Sequence, residues 1–469
     1  MFFLNKMDLI KTQNLPNQLA KSEIYSELTK FNLEYYPEYL IEIINKLYNK
    51  TITSLQPIFN FQFTGKENPK YGYSQQINTI VWQFGHLILF YLNNVIKLLK
   101  KNNILEENKE YIKNIILYLS KSINVEEDNI NYYEYFDSFI TSSATRLTLL
   151  HKLNIKYLRY AYTLVMEFLN IYIEDNIKVN NTKKNISNYT LNSVDSYLIM
   201  LGILHNDMHL EAILFTEHFF KYPKPNFSLS NIDNNPIQDL SKINTKTNNK
   251  SIKKIYFIKV KGNSFFYQGA NNHYFKKGEF VFDNEKPSLL KKINDFEISK
   301  YPITEGQYLK FMIDNGYTNK KYWCLESWNW IKKHDIQGPE GWFIKDEIDS
   351  SSSNFSFEFI VKKKVWFKNN WSTKLKVNPN SKIPITNISW YEAKAFCNWA
   401  GFRLPKEEEW EYLSTNGKTS KYPWGNEKPK TKFCNIDYEY NDVLPVNYFE
   451  INSSLEIDKT TKKKNKEEK

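Results

Sequence analysis

The chain changes its hydrophobic period once, and that change sets its architecture. Up to residue 221, apolar residues recur at three- and four-residue spacing in the windows 20–50, 78–101, 142–175 and 193–221. Pro and Gly are scarce inside them. Four long helices, with a shorter one near 107–122, predict a four-helix bundle. The connection 51–77 holds Pro57, Gly65, Pro69 and Gly72 and reads as irregular, and 123–141 reads as loop. Tyr222-Pro223-Lys224-Pro225 ends the last helix, because proline cannot continue one. Residues 226–252 are Asn-, Ser- and Lys-rich and have the composition of a disordered linker. From 253 the pattern turns β-like in Ile255-Tyr256-Phe257-Ile258-Lys259-Val260, Phe265-Phe266-Tyr267 and Phe280-Val281-Phe282. Two short helices fit 304–314 and 390–400, and ten tryptophans fall between Trp323 and Trp424. The expectation is an α+β chain of two domains: a helical bundle over 1–225, a linker over 226–252, a loop-rich α+β domain over 253–450 and a disordered Lys-rich tail over 451–469.

The net charge is +11, and the run Lys459–Lys469 supplies +4 of it, as a solvated tail would. Such charge suits nucleic acid, but no helix-turn-helix, zinc-finger or RNA-binding signature accompanies it, so no nucleic-acid partner is expected. Cys324, Cys397 and Cys434 are far apart and odd in number, which fits a reducing compartment rather than a disulfide framework. The sequence shows no run of about 18 apolar residues, and the opening Met1-Phe2-Phe3-Leu4 is too short for a secretion signal. A cytoplasmic protein without a membrane partner is the expectation.

Chemistry concentrates in Leu204-His205-Asn206-Asp207-Met208-His209-Leu210-Glu211. Positions i and i+4 share a helix face, so His205 and His209 fit two ligands of one metal ion, or two hydrogen-bonded core histidines. His86, after Gly85 in another apolar helix, is a third candidate ligand. Glu211 fits a carboxylate hydrogen-bonded behind the ligands. His151, His218, His273 and His334 look incidental; His218 falls about half a turn round the helix from His209. Tyr135-Phe136-Asp137-Ser138 precedes Ala144-Thr145-Arg146. Arg146 fits a bidentate clamp for a substrate carboxylate, or else a structural ion pair, and Asp137 is a second candidate for outer support of the metal. Farther on, Ile388-Ser389-Trp390-Tyr391-Glu392-Ala393 leads through Cys397-Asn398-Trp399-Ala400-Gly401-Phe402-Arg403-Leu404-Pro405 to Glu409-Trp410-Glu411. Gly401 fits a helix end and Pro405 the start of the next helix, with buried tryptophans.

That last run, with Tyr422-Pro423-Trp424-Gly425, Asn435-Ile436-Asp437 and Phe296-Glu297-Ile298-Ser299-Lys300-Tyr301-Pro302-Ile303-Thr304-Glu305, closely resembles the formylglycine-generating-enzyme (sulfatase-modifying factor) fold over roughly 253–447. The helical half, with His86 and the His205/His209 pair, resembles a DinB-like bundle. Together they resemble the ergothioneine-type sulfoxide synthases and the related selenoneine synthase. The resemblance implies a DinB-like four-helix bundle followed by an incomplete formylglycine-generating-enzyme (C-type-lectin-like) α+β domain. It implies Fe(II) held by His86, His205 and His209, with Arg146 near substrate carboxylates. It also implies O2-dependent joining of a thiol or selenol donor to a histidine betaine such as hercynine. Which residues are catalytic it leaves unknown. The chain departs from the pattern at Met208, where the family often has Gln, and at Ser143, where it has a second arginine. It lacks the family's "GNVWEW", "RGGSW" and final "GFR" stretches, and with them the copper-binding cysteine pair of true formylglycine-generating enzymes. The alternative is an inactive, truncated binding or scaffold protein.

Overall fold

Among the described residues of the computed structural model, the first half carries the helices α1 Pro37–Phe59, α2 Ile80–Phe90, α3 Glu106–Ser122, α4 Tyr132–Phe136, α5 Ile155–Asn181 and α6 Ser193–Phe220. The structure describes residues 35–59, 78–96, 99, 106–123, 131–142, 146, 153–181, 191, 193–220, 255–262, 264–270, 279–348, 362–370, 373–417, 420–436 and 443–450. The linker 226–252, the tail 451–469, His151, His273 and the His218 side chain lie outside them. The chain divides into two compact units, one of Met1–Lys66, Asn78–Thr216 and Gly269–Ser288, the other of Glu67–Ile77, Glu217–Gln268 and Leu289–Lys469.

Helix α1 starts at Pro37, whose fixed φ suits a first helical position. It buries Leu40, Ile44, Leu47, Leu55 and Ile58 along one stripe. It runs to Phe59, past Pro57, where a loop was expected; so near the end, the missing N–H removes one ladder bond without ending the helix. Helix α5 starts at Ile155, thirteen residues after its periodic window opens. Leu153 first pairs with Ile123 in an antiparallel bridge, and the Asn154 side chain then caps the helix by accepting from Lys156 N–H at 3.0 Å. The short α4 falls inside the expected loop 123–141 and is capped by Asn131. Helix α5 packs on α1, α2 and α3. Helix α2 is buried almost all round and continues as a π-helical turn, Tyr91–Ile96.

A buried polar knot ties these helices together. Asn206 of α6 accepts from Tyr162 of α5 at 2.7 Å and from Tyr91 at 3.5 Å, and donates to Thr51 of α1 at 3.1 Å. All four residues are fully buried, so their hydrogen bonds substitute for lost water. Val194–Glu217 is, contrary to expectation, long and apolar enough to cross a membrane by length and composition. The same length and composition occur in core helices of soluble proteins, and this one turns Asp195, Asn206 and Thr216 onto partners in its own unit.

The second unit is mixed. Strands β1 Phe257–Val260 and β4 Phe296–Ser299 pair antiparallel, as do β2 Ser264–Gln268 with β3 Leu289–Ile293. Three more, β5 Trp342–Ile348, β6 Lys362–Asn370 and β7 Thr373–Lys376, form a meander. Helices α7 Glu305–Ile313, α8 Leu325–Lys333, α9 Trp390–Ala400 and α10 Glu407–Ser414 complete it. Its core gathers Tyr308, Phe311, Tyr317, Trp323 and Phe396. Buried Glu392 closes the α9 capping box with Ser389 and accepts from Tyr317 at 2.6 Å. Gly401 ends α9 in the left-handed region at φ 77°, as its position predicts. Two expectations fail here. Helix α10 begins at Glu407 with Lys406 at its N-cap, so Pro405 stands two residues before the helix rather than at its first position. Trp390 and Trp410 are more than half exposed, since Phe396 and Glu392 take the inward face of α9 and Glu409 that of α10.

Asn206→Ala would remove the acceptor that Tyr91 and Tyr162 share and leave Tyr162 only its longer bond to Thr51 at 3.2 Å. It is expected to destabilise the helical unit by roughly 2–3 kcal/mol, measured as a lower urea midpoint with unchanged slope. A neutral result would remove the knot as a determinant of the fold.

Candidate metal centre

Two glycines determine how the metal-ligand candidates meet. A Cβ on Gly202 would lie 2.5 Å from the Tyr91 ring and 3.1 Å from Val95, so only glycine lets α6 approach the π turn after α2 this closely. One helical turn later comes His205. A Cβ on Gly85 would lie 2.1 Å from the Phe136 ring, so that glycine admits α4 against α2 beside His86.

The outcome is a triangle of imidazoles. Ring centroids are 5.7 Å apart for His86 and His205, 5.1 Å for His86 and His209, and 4.6 Å for His205 and His209. One ligand nitrogen from each ring falls within 4.8 Å of the others. His86 Nδ1 lies 2.8 Å from the Phe136 carbonyl oxygen. A carbonyl only accepts, so Nδ1 carries the proton and Nε2 keeps its lone pair for a metal. Nδ1 of His205 and of His209 is buried without a hydrogen-bond partner. Phe90 stacks on His205 at 3.6 Å.

Burial lowers the basicity of all three rings, and repulsion from neighbouring histidines lowers that of His205 and His209 further. His205 is pushed down to about 2, first by desolvation and then by His209 and His86. His209 is pushed down to about 3 by desolvation and then by His86. His86 falls too, chiefly by desolvation. Neutral imidazoles with free lone pairs at neutral pH are the donor set that a borderline divalent ion takes. The residues present therefore fit a three-histidine metal site.

The other sequence candidates divide. Asp137 ends α4 and accepts from Phe139 N–H at 2.7 Å, shaping the turn beyond the Phe136 carbonyl; its charge acts on His86 and on Arg146. Arg146 is 8% exposed and bonded through each of its three nitrogens: to Thr141 O at 2.9 Å, Asn78 Oδ1 at 2.8 Å and Ser138 O at 2.7 Å. That is a packed, inward-bonded guanidinium, unlike the free fork a carboxylate clamp presents. Glu211 is exposed, and two residues beyond His209 turns it about 200° round the helix, so it stands away from the triangle. Sequence reasoning missed Phe136, Trp82 and Gly202. Trp82 had a signal, its i−4 spacing to His86; a backbone carbonyl has none. It also missed Glu217, fully buried on α6 with neither oxygen hydrogen-bonded; desolvation pushes its carboxyl up to about 9.

Comparison with known proteins adds the second half of the chain. Residues 245–456 match the sulfatase-modifying factor enzyme 1-like domain. The chain is similar to the hercynine oxygenase of Mycobacterium tuberculosis, 26% identical over 176 residues, which are 37% of this chain and 36% of that protein. It is also similar to the formylglycine-generating enzyme of Bos taurus, 28% identical over 163 residues, 33% of this chain and 40% of that protein. A further similarity is to the inactive C-alpha-formylglycine-generating enzyme 2 of Bos taurus, 26% identical over 151 residues, 31% of this chain and 46% of that protein. The chain spans less than half the length of each of these relatives. The C-terminal part thus carries a sulfatase-modifying-factor-type domain, within a mixed helix–strand chain.

The two kinds of buried ionisable group give opposite pH responses. For His205 and His209 the unfolded value, near 6.5, lies above the folded one, so the unfolded chain binds more protons below it. The metal-free protein should lose stability as pH falls below ~6.5, by up to about 1.4 kcal/mol per pH unit for each ring. A His205→Asn/His209→Asn variant should flatten that slope in urea titrations at pH 7.5, 6.5 and 5.5; an unaltered slope would clear the pair as its source. Glu217 works the other way. Its folded value is raised, so stability declines as pH rises from the ordinary carboxylate range toward about 9. Glu217→Gln is expected to gain ~1 kcal/mol or more at pH 7.5 and little at pH 4.5. A loss at pH 7.5 would mean that the carboxylate is partnered in solution.

Proposed function

We propose that the protein is a mononuclear non-haem iron enzyme that uses O2 to join a thiol or selenol donor to the imidazole carbon of a histidine betaine such as hercynine. The observation that carries this reading is the buried triangle of neutral His86, His205 and His209. Three ligands on one divalent ion leave positions free for other molecules, unlike a closed structural site. Similarity to hercynine oxygenase supplies the substrate class, and the helical unit is read as the DinB-like bundle of such synthases. In a sulfoxide-forming reaction one imidazole C–H and one S–H bond break, C–S and S–O bonds form, and O2 ends as the sulfoxide oxygen and water. Fe(II) would supply the site at which O2 and the sulfur donor are brought together.

The chain's own residues would do the rest. His86, kept in one tautomer by the Phe136 carbonyl, presents Nε2. His205 and His209, one turn apart on α6, complete the donor set. Phe90 against His205 and the apolar wall of α2 exclude water from that side. A second reading, metal binding without turnover, is favoured by the similarity to an inactive relative.

Purified protein is expected to bind one Fe(II) per chain under anaerobic conditions. His205→Ala should lower metal content at least tenfold; unchanged content would sink the triad. With iron bound, O2 uptake should require both hercynine and a thiol or selenol donor. Bound iron with no uptake for any donor would leave the second reading standing.

A further inference from the structure

Arg146 sits at the end of a stacked column that leads to the metal-ligand candidates. Its guanidinium carbon is 4.0 Å from the centre of the Trp82 ring. Trp82 in turn stacks on His86, with centroids 5.0 Å apart and ring planes 11° from parallel. The column is locked from the side by one short strap, Tyr135–Thr141. Four of its carbonyls accept from the column's members: Tyr135 O from Trp82 Nε1 at 2.7 Å, Phe136 O from His86 Nδ1 at 2.8 Å, Ser138 O from Arg146 Nη2 at 2.7 Å and Thr141 O from Arg146 Nε at 2.9 Å. The strap is closed on itself by Thr141 Oγ1 donating to Glu134 O. Arg146 Nη1 reaches Asn78 Oδ1, just before the Thr79 cap of α2. Gln83 donates to Asn78 O at 2.9 Å and to Thr216 of α6 at 3.0 Å.

We infer that Arg146 is a positioning residue for the metal centre: with Trp82 it clamps the 135–141 strap so that the Phe136 carbonyl fixes the tautomer and plane of His86. This inference rests on the three-histidine reading. A planar guanidinium suits the task, because its donors leave in fixed directions within one plane while its face stays free to stack. Two strap carbonyls and one side-chain oxygen lie at those donors, and an indole covers the face. Lysine could keep the charge over Trp82 but not the spread of directed donors. The ligand's partner is a main-chain carbonyl, so its position can be held only by whatever holds the strap. Outer groups of this kind typically alter metal affinity ten- to a hundredfold.

Co(II) is the probe, titrated into the full-length protein against a chelator and read by its visible absorption. Arg146→Gln is expected to weaken Co(II) binding about tenfold and to change the band shape, with far-ultraviolet circular dichroism retained; Arg146→Lys should recover only part of the affinity. Trp82→Phe, which keeps a ring but loses the bond to Tyr135 O, should weaken binding as well. The Arg146→Gln/Trp82→Phe double variant should lose less than the product of the two single effects, because both act through one strap. Leu119→Ala, on α3 away from the strap and from α6, should lower stability yet leave Co(II) affinity unchanged, which separates positioning from general destabilisation. If Arg146→Gln and Trp82→Phe both bind Co(II) like the wild type while His205→Ala does not, the metal site stands and this inference falls. If His205→Ala binds Co(II) normally, the three-histidine reading itself falls. Should Arg146→Gln fail to fold, Trp82→Phe and Arg146→Lys decide the matter on the same readout.

Discussion

The close approach of α6 to the end of α2, at Gly202 against Tyr91 and Val95, is the constraint on which the helical unit depends. With any side chain at 202 the two helices would stand farther apart, and His205 and His209 would withdraw from His86. The same approach buries Asn206, one residue past His205, in the knot with Thr51, Tyr91 and Tyr162. One contact therefore sets both the register of α6 and the direction of its histidines. Packing glycine and polar knot work together here: the first permits contact, and the second makes a single rotation of the helix preferable, because any other leaves buried groups unpaired.

The second constraint comes from outside the two long helices. Helix α4 is only five residues long and could not persist alone. It holds its place because Phe136 fills the space over Gly85 and because Trp82, His86 and Arg146 each donate to the strap that begins there. Their partners, main-chain carbonyls, can move only with the strap, so the ligand geometry is set by backbone rather than by a flexible carboxylate.

These two constraints explain what was legible in the sequence. The pair His205/His209 could be read from spacing, since residues four apart share a helix face, and His86 could be added by resemblance. Gly401 carries a local helix-end signal that the structure honours. Glu211 was misjudged because proximity in sequence was weighed over rotation about the helix. Arg146 looked like a ligand clamp because the sequence shows its charge but not its neighbours; the acceptors that occupy it, Ser138 O and Thr141 O, are backbone atoms that every residue type has. The start of α5 was placed too early because Leu149, Leu150 and Leu153 continue its apolar rhythm, although Leu153 is spent on a bridge to Ile123. Trp390 and Trp410 were assigned inward by type, whereas the inward places went to Glu392 and Glu409, whose carboxylates accept from the N-cap backbone N–H groups of Ser389 and Lys406.

The unpaired nitrogens of His205 and His209 give the site its thermodynamic direction. A buried polar atom without a partner destabilises the folded state by about 1–3 kcal/mol, and protonation offers no relief here, since burial and neighbouring rings have already pushed both basicities far down. Rotation away is opposed by Phe90, stacked on one ring, and by the helix spacing that fixes the other. An ion that accepts the three lone pairs removes part of that penalty in the folded state alone, so its binding energy adds to folding energy. A helix pair that holds three neutral imidazoles together, two of them with an unpaired buried nitrogen, carries a penalty that one divalent cation can relieve, and this is a stronger reason to expect metal there than the spacing of two histidines.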